Sequence, residues 1–333
     1  MIISIICPIL NEEAYIASTI ESFLVQESSN FEIEILLIDG MSTDNTRSII
    51  KYYQEKNPNI RLIDNPQRKT PFAFNIGLEQ SKGTYVAILG AHCRYGNNYI
   101  EACYQDLLKS GSVGCSGLVI PTSERETLES NLVRCILSSP FGVSSFSFRT
   151  IGEGYVHSVN FPVFEKAKLV EMGGYNTELH RNQDNAMNQK LIDAGYKLYC
   201  TAKTQCEYFI PTKLSKLLRY AYSNGFWNIK SLSGYPRSMK FYHFVPLAFV
   251  IGIVGGFLAG ALEYAFFSTI YLFVILSGTL ILHLTLGLIF SLSLIFRTGK
   301  ISYLLLPFLF FIFHFYYGYG SLISLNKKFK NDK

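Results

Sequence analysis

Three polar turns near the start of the chain carry side chains that can bind a charged, nucleotide-like ligand. Asn11 and Glu12 lie in the first turn, Asp39 opens the second, and His92 lies in the third. A carboxylate at position 39 can accept hydrogen bonds from a base or a ribose, and Gly40 permits close approach of the backbone. His92 is placed to reach a metal ion or a phosphate. In a parallel sheet, ligands bind at turns that follow the strands, which is where these residues would lie.

Two later stretches add candidates for acid–base chemistry and for sugar contacts. Asp184 ends the run His180-Arg181-Asn182-Gln183-Asp184, just before a predicted helix, where it is placed to act as a general base. Trp227 is the only tryptophan of the chain and could stack on a sugar ring.

Each candidate also has a purely structural interpretation. Residues such as Asn11, Ser42, Asp44 and Asp184 are of types that cap helix N-termini. A lone histidine such as His92 is more often structural than functional. A lone tryptophan near a membrane is usually an interfacial anchor. The residues alone leave both interpretations open.

The elements that must position these residues alternate between strand and helix over residues 1–110, which is typical of a parallel sheet covered on both faces. Short apolar runs predict the strands, and apolar residues spaced three or four apart predict the helices. The predicted strands are Ile2–Cys7, Glu34–Ile38, Ile60–Ile63 and Thr84–Leu89, and the predicted helices are Ala14–Gln26, Thr46–Lys56, Pro71–Gln80 and Asn97–Lys109. The three polar turns therefore follow predicted strands.

Residues 111–240 are less regular and predict a second half of the same domain. The predicted elements are a strand at Val113–Ile120, a helix or mobile segment at Glu124–Leu137, a strand pair over Val156–Phe164, helices at Glu165–Met172 and Asp184–Ala194, a strand at Lys197–Cys200 and an amphipathic helix at Leu214–Leu232. The last helix mixes aromatic and basic residues and could lie at a membrane surface.

The C-terminal part has the composition of a membrane region. The 77 residues from Phe244 to Gly320 include three charged side chains. Phe244–Leu262 and Ile301–Gly320 are each long enough for one span, whereas Tyr264–Phe296 fits either one long span or a hairpin of two short ones. We therefore predict three or four spans in a membrane region at 241–322, followed by a basic tail at 323–333. Basic residues beside apolar spans favour the cytoplasmic side.

Composition excludes several other classes of protein. Charged residues make up 17% of the 333, mean hydropathy is +0.19 and net charge is +5, which argues against a purely soluble globule and a disordered chain. The sequence has no basic stripe interleaved with aromatic residues, so nucleic-acid binding is not indicated. The seven cysteines are scattered without a C-x-x-C pair, so we expect reduced core thiols and no zinc site. The N-terminal residues lack the basic start of a signal peptide, and none is expected.

The order of these motifs resembles glycosyltransferase family 2, the inverting transferases of the GT-A fold. Within that family the chain is similar to the membrane-attached subgroup that includes the succinoglycan glucosyltransferase of exopolysaccharide synthesis. The motifs that carry the resemblance are Pro8 with Asn11-Glu12-Glu13, Gln26, Asp39-Gly40-Met41-Ser42-Thr43-Asp44, Thr70-Pro71, Asn75-Ile76-Gly77, Ala91-His92-Cys93-Arg94-Tyr95, Gly173-Gly174-Tyr175-Asn176, Arg181-Asn182-Gln183-Asp184 and His314-Phe315-Tyr316-Tyr317-Gly318-Tyr319-Gly320. They extend over nearly the whole chain.

The resemblance implies an α/β GT-A fold and a role for each matched residue. Asp184 would be the catalytic base, and Asp39 would contact a uracil base. The residues implied to line the nucleotide-sugar pocket are Pro8, Asn11, Glu12, Asp39, Ser42, Asp44 and Ala91. The residues implied to contact the acceptor or the sugar are Asn182, Gln183 and Trp227. The catalytic domain would occupy residues 1–240, with the nucleotide-binding half at 1–110 and the acceptor half at 111–240.

The implied metal site departs from the family pattern. Most members hold Mn²⁺ or Mg²⁺ with an Asp-x-Asp run, which in this subgroup is typically Asp-Ala-His, and here it is Gly90-Ala91-His92. His92 keeps a possible ligand, and a nitrogen ligand suits Mn²⁺ better than Mg²⁺. Asn185 and Ala186 also stand where carboxylates are common in the subgroup. These departures raise an alternative, a degenerate, non-catalytic partner in a polysaccharide assembly complex.

The preferred hypothesis from the sequence is an active enzyme. It would transfer a sugar, with inversion, from a nucleotide-diphosphate sugar such as a uridine diphosphate sugar. The acceptor would be a lipid-linked saccharide or a polysaccharide at the cytosolic face of the cell membrane, in exopolysaccharide, capsule or related glycan synthesis. A transporter is disfavoured because the apolar spans hold few polar groups.

Overall fold

The computed structural model describes residues 1–26, 30–123, 125–144, 147, 149–179, 181–232 and 240–331, with side chains up to residue 326. His180 of the candidate site run lies outside the described residues, as do Arg237 and Lys333, two of the basic residues that flank the apolar region. The chain divides into two compact units. Unit one comprises Met1–Thr122 and Ile151–Phe209, and unit two comprises Ser123–Thr150 and Ile210–Lys333.

The described residues contain nine strands and twelve α-helices. The strands are β1 (Ile2–Ile9), β2 (Glu32–Asp39), β3 (Ile60–Asp64), β4 (Tyr85–Ile88), β5 (Cys93–Tyr95), β6 (Gly114–Thr122), β7 (Gly154–Val156), β8 (Val163–Glu165) and β9 (Leu198–Phe209). The helices are α1 (Ile16–Leu24), α2 (Thr46–Lys56), α3 (Thr70–Gln80), α4 (Tyr99–Ser110), α5 (Leu128–Ser138), α6 (Pro140–Val143), α7 (Lys166–Glu171), α8 (Gln183–Asp193), α9 (Leu214–Ser231), α10 (Val245–Phe267), α11 (Tyr271–Thr298) and α12 (Leu306–Asn331).

Unit one is built on a mixed sheet whose N-terminal half is parallel. The strand order is β3-β2-β1-β4-β8-β6-β9-β5, with β7 paired to β9. Strands β1, β2, β3 and β4 pair in parallel, while β8 runs antiparallel to both β4 and β6. Because β1, β2 and β4 run in the same direction, the turns that follow them emerge at one edge of the sheet.

The apolar strands form because both faces of the sheet are covered. Ile3, Ile5 and Ile6 of β1 are fully buried, so the strand is a continuous apolar run instead of an alternating one. Burial of each such side chain contributes about 1.5–3 kcal/mol. One core cluster contains Ile6 and Val86 of the sheet together with Met187 of α8. Helix α8, which carries Asp184, is therefore packed on the same core as the strands.

Asn75 of α3 fixes the segment that leads to α8. Its Oδ1 accepts a hydrogen bond from the Tyr175 backbone N–H at 2.8 Å, and its Nδ2 donates to the Tyr175 carbonyl at 2.8 Å. The ring of Tyr175 packs on Phe74 with centroids 4.6 Å apart. Gly174 has a φ of +71°, and a Cβ there would lie 2.7 Å from Asn75 Oδ1, so glycine is required at this contact.

Unit two joins an internal segment, residues 123–150, to the C-terminal helices. The ring of Phe141 in α6 stacks on Phe290 of α11 at 5.5 Å and meets Phe310 of α12 edge-on at 5.0 Å. Arg149 Nη2 donates to the Tyr220 hydroxyl of α9 at 3.1 Å. Residues 123–150 and 210–232 lie within the predicted catalytic domain by sequence position, yet they pack with the apolar helices.

Three helices of the described chain are long and apolar enough to cross a membrane, judged by length and composition. They cover Phe241–Phe267, Tyr271–Thr298 and Ile301–Asn326. The sequence leaves open whether the long apolar run from 264 to 296 forms one span or two. In the structure it divides at Ser268–Ile270 into the end of α10 and the 28-residue α11. Glu263 accepts hydrogen bonds from the Tyr271 and Leu272 backbone at this connection, which closes the turn.

Removal of the Asn75 side chain should destabilise unit one, because the Tyr175 N–H and carbonyl would lose their partners. For Asn75→Ala we expect a loss of about 1–3 kcal/mol in the free energy of unfolding. The matched control is Asn57→Ala, whose amide donates to the Tyr53 carbonyl at a helix end. It should cost about 0.5 kcal/mol. Thermal unfolding of the full chain in detergent measures both, and equal losses would contradict the role of Asn75.

Candidate active site

The first two polar turns are joined by hydrogen bonds at the edge of the sheet. The Asn11 N–H donates to Ser42 Oγ at 2.8 Å, and Asn11 Oδ1 accepts from the Thr43 N–H at 2.8 Å. The Glu12 N–H donates to Thr46 Oγ1 at 2.8 Å. Asn11 adopts the left-handed conformation, with φ of 54°, which asparagine tolerates better than most residues. Asn11, Glu12 and Ser42 are therefore close together, as the parallel strands predict.

Asp39 holds the second turn from inside the protein. It is fully buried, and its carboxylate accepts hydrogen bonds from the backbone N–H and the hydroxyl of Ser42 and from Arg47 Nη1. The same Arg47 nitrogen donates to Asp64 at 2.8 Å. Asp39 and Asp64 are register partners on neighbouring strands, so the guanidinium neutralises two adjacent carboxylates. These hydrogen bonds raise the pKa of Arg47 above its ordinary value.

Asp44 and Pro8 support the same edge. Burial alone would raise the pKa of Asp44, but hydrogen bonds from Thr46 and from the Glu13 backbone outweigh it and lower the pKa. Asp44 therefore stays ionised near the N-terminus of α2, where a negative charge is favourable. Pro8 is half-buried in β1, in register with Ile38.

The third turn places His92 against Glu12. His92 Nδ1 lies 3.3 Å from Glu12 Oε1, and the His92 ring packs on Tyr208 at 5.2 Å. The carbonyl of the buried Ala91 accepts a hydrogen bond from Thr19 at 2.7 Å, which ties the turn to α1. All three polar turns thus converge at one edge of unit one.

The described residues around His92 do not form a complete set of ligands for a divalent cation. In the part of the chain that the structure describes, no group of three or more His, Cys, Asp or Glu side chains could hold a metal ion. Glu12 and His92 offer one oxygen and one nitrogen at adjacent positions. Such a pair fits a cation whose remaining ligands come from the substrate's phosphates and from water, with Mn²⁺ favoured over Mg²⁺ by the nitrogen.

Packing explains the absence of a side chain at position 90. A Cβ at Gly90 would lie 2.9 Å from Cε1 of the Phe161 ring. Phe161 is held in place because its carbonyl accepts a hydrogen bond from Tyr99 at 2.9 Å. An aspartate at position 90 would fit only if this ring moved, so the packing of the turn favours glycine there.

Asp184 lies in the first turn of α8. Burial raises the pKa of its carboxyl from 3.8 to about 6. Helix α8 begins after Asn182, which has a φ of 63°. The amide oxygen of the buried Gln183 has no hydrogen-bond partner among the described residues. The neighbouring Asn185 accepts a hydrogen bond from Ser158 at 3.2 Å, so it supports α8.

A carboxyl group with a pKa near neutral is suited to general-base catalysis, and an unpaired amide oxygen can accept a hydrogen bond from a sugar hydroxyl. Trp227 lies in α9 of unit two, with Lys230 Nζ 4.7 Å above its ring, and its predicted sugar contact stays a prediction. The assignments of the other candidate residues to ligands likewise stay predictions.

Comparison with known proteins identifies the type of protein. Residues 4–164 match the family model described as glycosyl transferase family 2. The chain is a glycosyltransferase with a family 2 domain. The resemblance found from the motifs is thereby confirmed, and so is the enzyme class.

Two curated relatives resemble this glycosyltransferase over most of their length. One is the dolichyl N-acetyl-α-D-glucosaminyl phosphate 3-β-D-2,3-diacetamido-2,3-dideoxy-β-D-glucuronosyltransferase of Methanococcus voltae, 29% identical, with 98% of this chain and 99% of the relative covered. The other is the succinoglycan biosynthesis protein ExoA of Rhizobium meliloti, 25% identical, with 77% of each covered.

A solved structure confirms the GT-A fold of the glycosyltransferase. The mannosyltransferase PcManGT from Pyrobaculum calidifontis, in complex with GDP-Man and Mn²⁺, matches with a TM-score of 0.61 at 14% identity. The match covers 97% of this chain and 86% of that one. At this identity the likeness concerns the fold.

Sequence reasoning missed Arg47 and Phe161 in this glycosyltransferase. Arg47 stands at the second position of α2, eight residues after Asp39. That spacing, with an arginine in the first turn of a helix after an acidic strand end, is the one signal that could have found it. Phe161 left no signal, because its contact with Gly90 joins distant parts of the chain.

Introduction of a carboxylate at position 90 should destabilise the protein. For Gly90→Asp we expect a loss of about 1–3 kcal/mol, because the Phe161 ring must shift. Gly152→Asp is the matched control, since a Cβ there meets no atom within 4 Å. Thermal unfolding compares the two. Recovery of stability in Gly90→Asp combined with Phe161→Leu would support the steric cause, and an unchanged midpoint in Gly90→Asp would contradict it.

Proposed function

We propose that the enzyme transfers a sugar from a nucleoside-diphosphate sugar to a lipid-linked saccharide, with inversion of the anomeric centre, in the synthesis of a surface polysaccharide or related glycan. The observation that carries this proposal is the Asp184 carboxyl, whose pKa burial raises to about 6 on a helix packed against the nucleotide-binding strands. A base with such a pKa is half ionised near pH 6 and can accept a proton from a sugar hydroxyl.

The donor would bind at the edge where the three polar turns meet. Uridine diphosphate is the nucleotide that the family resemblance favours, and the turn held by Asp39 is where the base would lie. Because Asp39 already accepts hydrogen bonds from Ser42 and Arg47, its first role is to hold the turn rigid, and the less buried Asn11 and Ser42 would contact the nucleotide. A turn that is already ordered reduces the loss of conformational entropy when the nucleotide binds.

The departing diphosphate carries the negative charge that develops during transfer. Glu12 and His92 would hold a divalent cation beside it, and such a cation supplies charge neutralisation when bound. The amide oxygen of Gln183 would accept a hydrogen bond from a sugar hydroxyl, and Asn182 lies one residue before it. Asp184 would take the proton of the acceptor hydroxyl as that oxygen attacks in line with the leaving phosphate, which inverts the centre.

The acceptor proposal rests on the apolar helices and on one relative. A saccharide linked to a lipid stays at the bilayer, so its transferase gains from membrane attachment, and three helices of this chain are long and apolar enough to span. The Methanococcus voltae relative is named for a dolichyl-linked sugar phosphate. Lys240 precedes α10, and Arg297 and Lys300 lie at the end of α11, on the same side of the first two spans as Lys240, which favours a catalytic domain on the cytosolic face of the cell membrane.

Loss of the Asp184 carboxylate should abolish transfer. For Asp184→Asn we expect a fall of about 10²–10⁴-fold in kcat for release of the nucleoside diphosphate with a lipid-linked acceptor present. Asp193→Asn is the matched control, since Asp193 lies exposed on the same helix α8 and should leave kcat unchanged. An Asp184→Asn enzyme with wild-type turnover would contradict the assignment.

The raised pKa of Asp184 predicts opposite effects of pH on activity and on stability. Activity should rise with pH through about 6, as the carboxyl loses its proton. The native state binds this proton more tightly than the unfolded state, so the stability that the neutral carboxyl provides is lost as pH rises from about 4 to about 6. At pH 7, Asp184→Asn should therefore raise the free energy of unfolding by about 1–3 kcal/mol. Denaturation at pH 5 and pH 7 checks this, and a destabilised variant would contradict it.

A further inference from the structure

Helix α9 has one strongly basic face. Its 18 residues include no Asp or Glu, and at 100° per residue Lys216, Arg219, Trp227 and Lys230 fall within about 80° of one another around the axis. The three cationic side chains are exposed, and Lys230 Nζ lies 4.7 Å above the Trp227 ring. We call these four residues the basic face.

The opposite face of α9 packs against α12 so closely that the backbones of the two helices are in contact. Leu217, Ala221 and Gly225 are buried there. A Cβ at Gly225 would overlap the carbonyl of Tyr317, and one at Gly320 would overlap the carbonyl of Tyr222. This contact settles the rotation of α9 about its axis, so the basic face is directed away from α12.

The contact between α9 and α12 lies where the sequence changes from polar to apolar. Gly318 of α12 contacts the carbonyl of Pro246, the second residue of α10, so α9, α12 and the start of α10 meet within unit two. Lys240 precedes α10 in sequence, and the apolar run of α10 begins directly after it. Such a change from charged to apolar residues is expected at the surface of a bilayer.

We propose that the basic face of α9 binds the headgroups of anionic phospholipids. The three cations of α9, a helix that carries no acidic residue of its own, match the negative surface of such a lipid layer, and each cation near that surface favours it by about fivefold. Tryptophan adds an amphipathic ring of the kind that is enriched at headgroup depth. This role follows the interfacial interpretation of Trp227, and it is independent of donor, acceptor and catalysis.

Trp227 makes the proposal directly measurable, because it is the only tryptophan of the chain. The full-length protein is placed in nanodiscs of phosphatidylcholine and phosphatidylglycerol at fixed proportions. In one sample the phosphatidylglycerol carries bromine in its upper acyl chain, and in the other an equal amount of phosphatidylcholine carries it. Bromine quenches nearby tryptophan fluorescence, so the ratio of the two signals reports the local lipid composition at α9.

The proposal predicts at least severalfold stronger quenching by brominated phosphatidylglycerol, and the excess should shrink with added salt. The excess should vanish in Lys216→Gln/Arg219→Gln/Lys230→Gln and persist in Lys216→Arg/Lys230→Arg, which keeps the charge. Lys51→Gln/Lys56→Gln/Lys109→Gln, three exposed lysines of unit one, is the control and should behave as wild type.

Equal quenching by the two lipids in the wild type would overturn the proposal. An excess that survives loss of the three cations would also overturn it. If the triple glutamine variant fails to fold, Arg219→Gln alone, which should lower the excess by about fivefold, decides in its place. Since no outcome involves turnover, failure here is separate from failure of the proposed reaction.

Discussion

A fully buried carboxylate, that of Asp39, is the constraint on which the edge with the three polar turns depends. An ionised carboxylate without partners in the interior would cost several kcal/mol, so its neighbours must supply donors. Ser42 and Arg47 do so, and the requirement fixes the path of the turn between β2 and α2. The ordered turn then gives Asn11 and Glu12 their hydrogen-bond partners, and Glu12 in turn faces His92. One buried charge thereby arranges side chains from three separate loops.

Burial of a carboxyl group has a different consequence at Asp184. There, burial without a compensating cation keeps the carboxyl's pKa near 6, which suits proton transfer at neutral pH but makes the ionised native state less stable. Asp39 is buried with partners and holds the turn, whereas Asp184 is half-buried, has no charged partner among the described residues, and is the proposed base. Two aspartates of one domain thus differ in role because their surroundings differ.

Local sequence patterns were sufficient for much of unit one. Helix α2 begins and ends at the predicted residues, Thr46 and Lys56, because its apolar spacing and flanking polar residues are local signals. The parallel sheet and the position of the polar turns also follow from such signals, whereas the GT-A fold is implied by the resemblance to the family. Strand β9 is longer than the predicted Lys197–Cys200 because its second half, up to Phe209, is stabilised by pairing with β5 and β6. The packing of residues 123–150 with the C-terminal helices depends on contacts between Phe141 and distant aromatic rings, which no local pattern encodes.

The central claim is that Asp184 deprotonates the acceptor in a single displacement. The most direct test is the configuration of the new glycosidic bond, read from the anomeric proton coupling in the NMR spectrum of product made from an α-linked nucleotide sugar by the purified wild-type enzyme. A β-linked product is predicted, since one in-line attack inverts the centre. An α-linked product would show net retention and would contradict the mechanism.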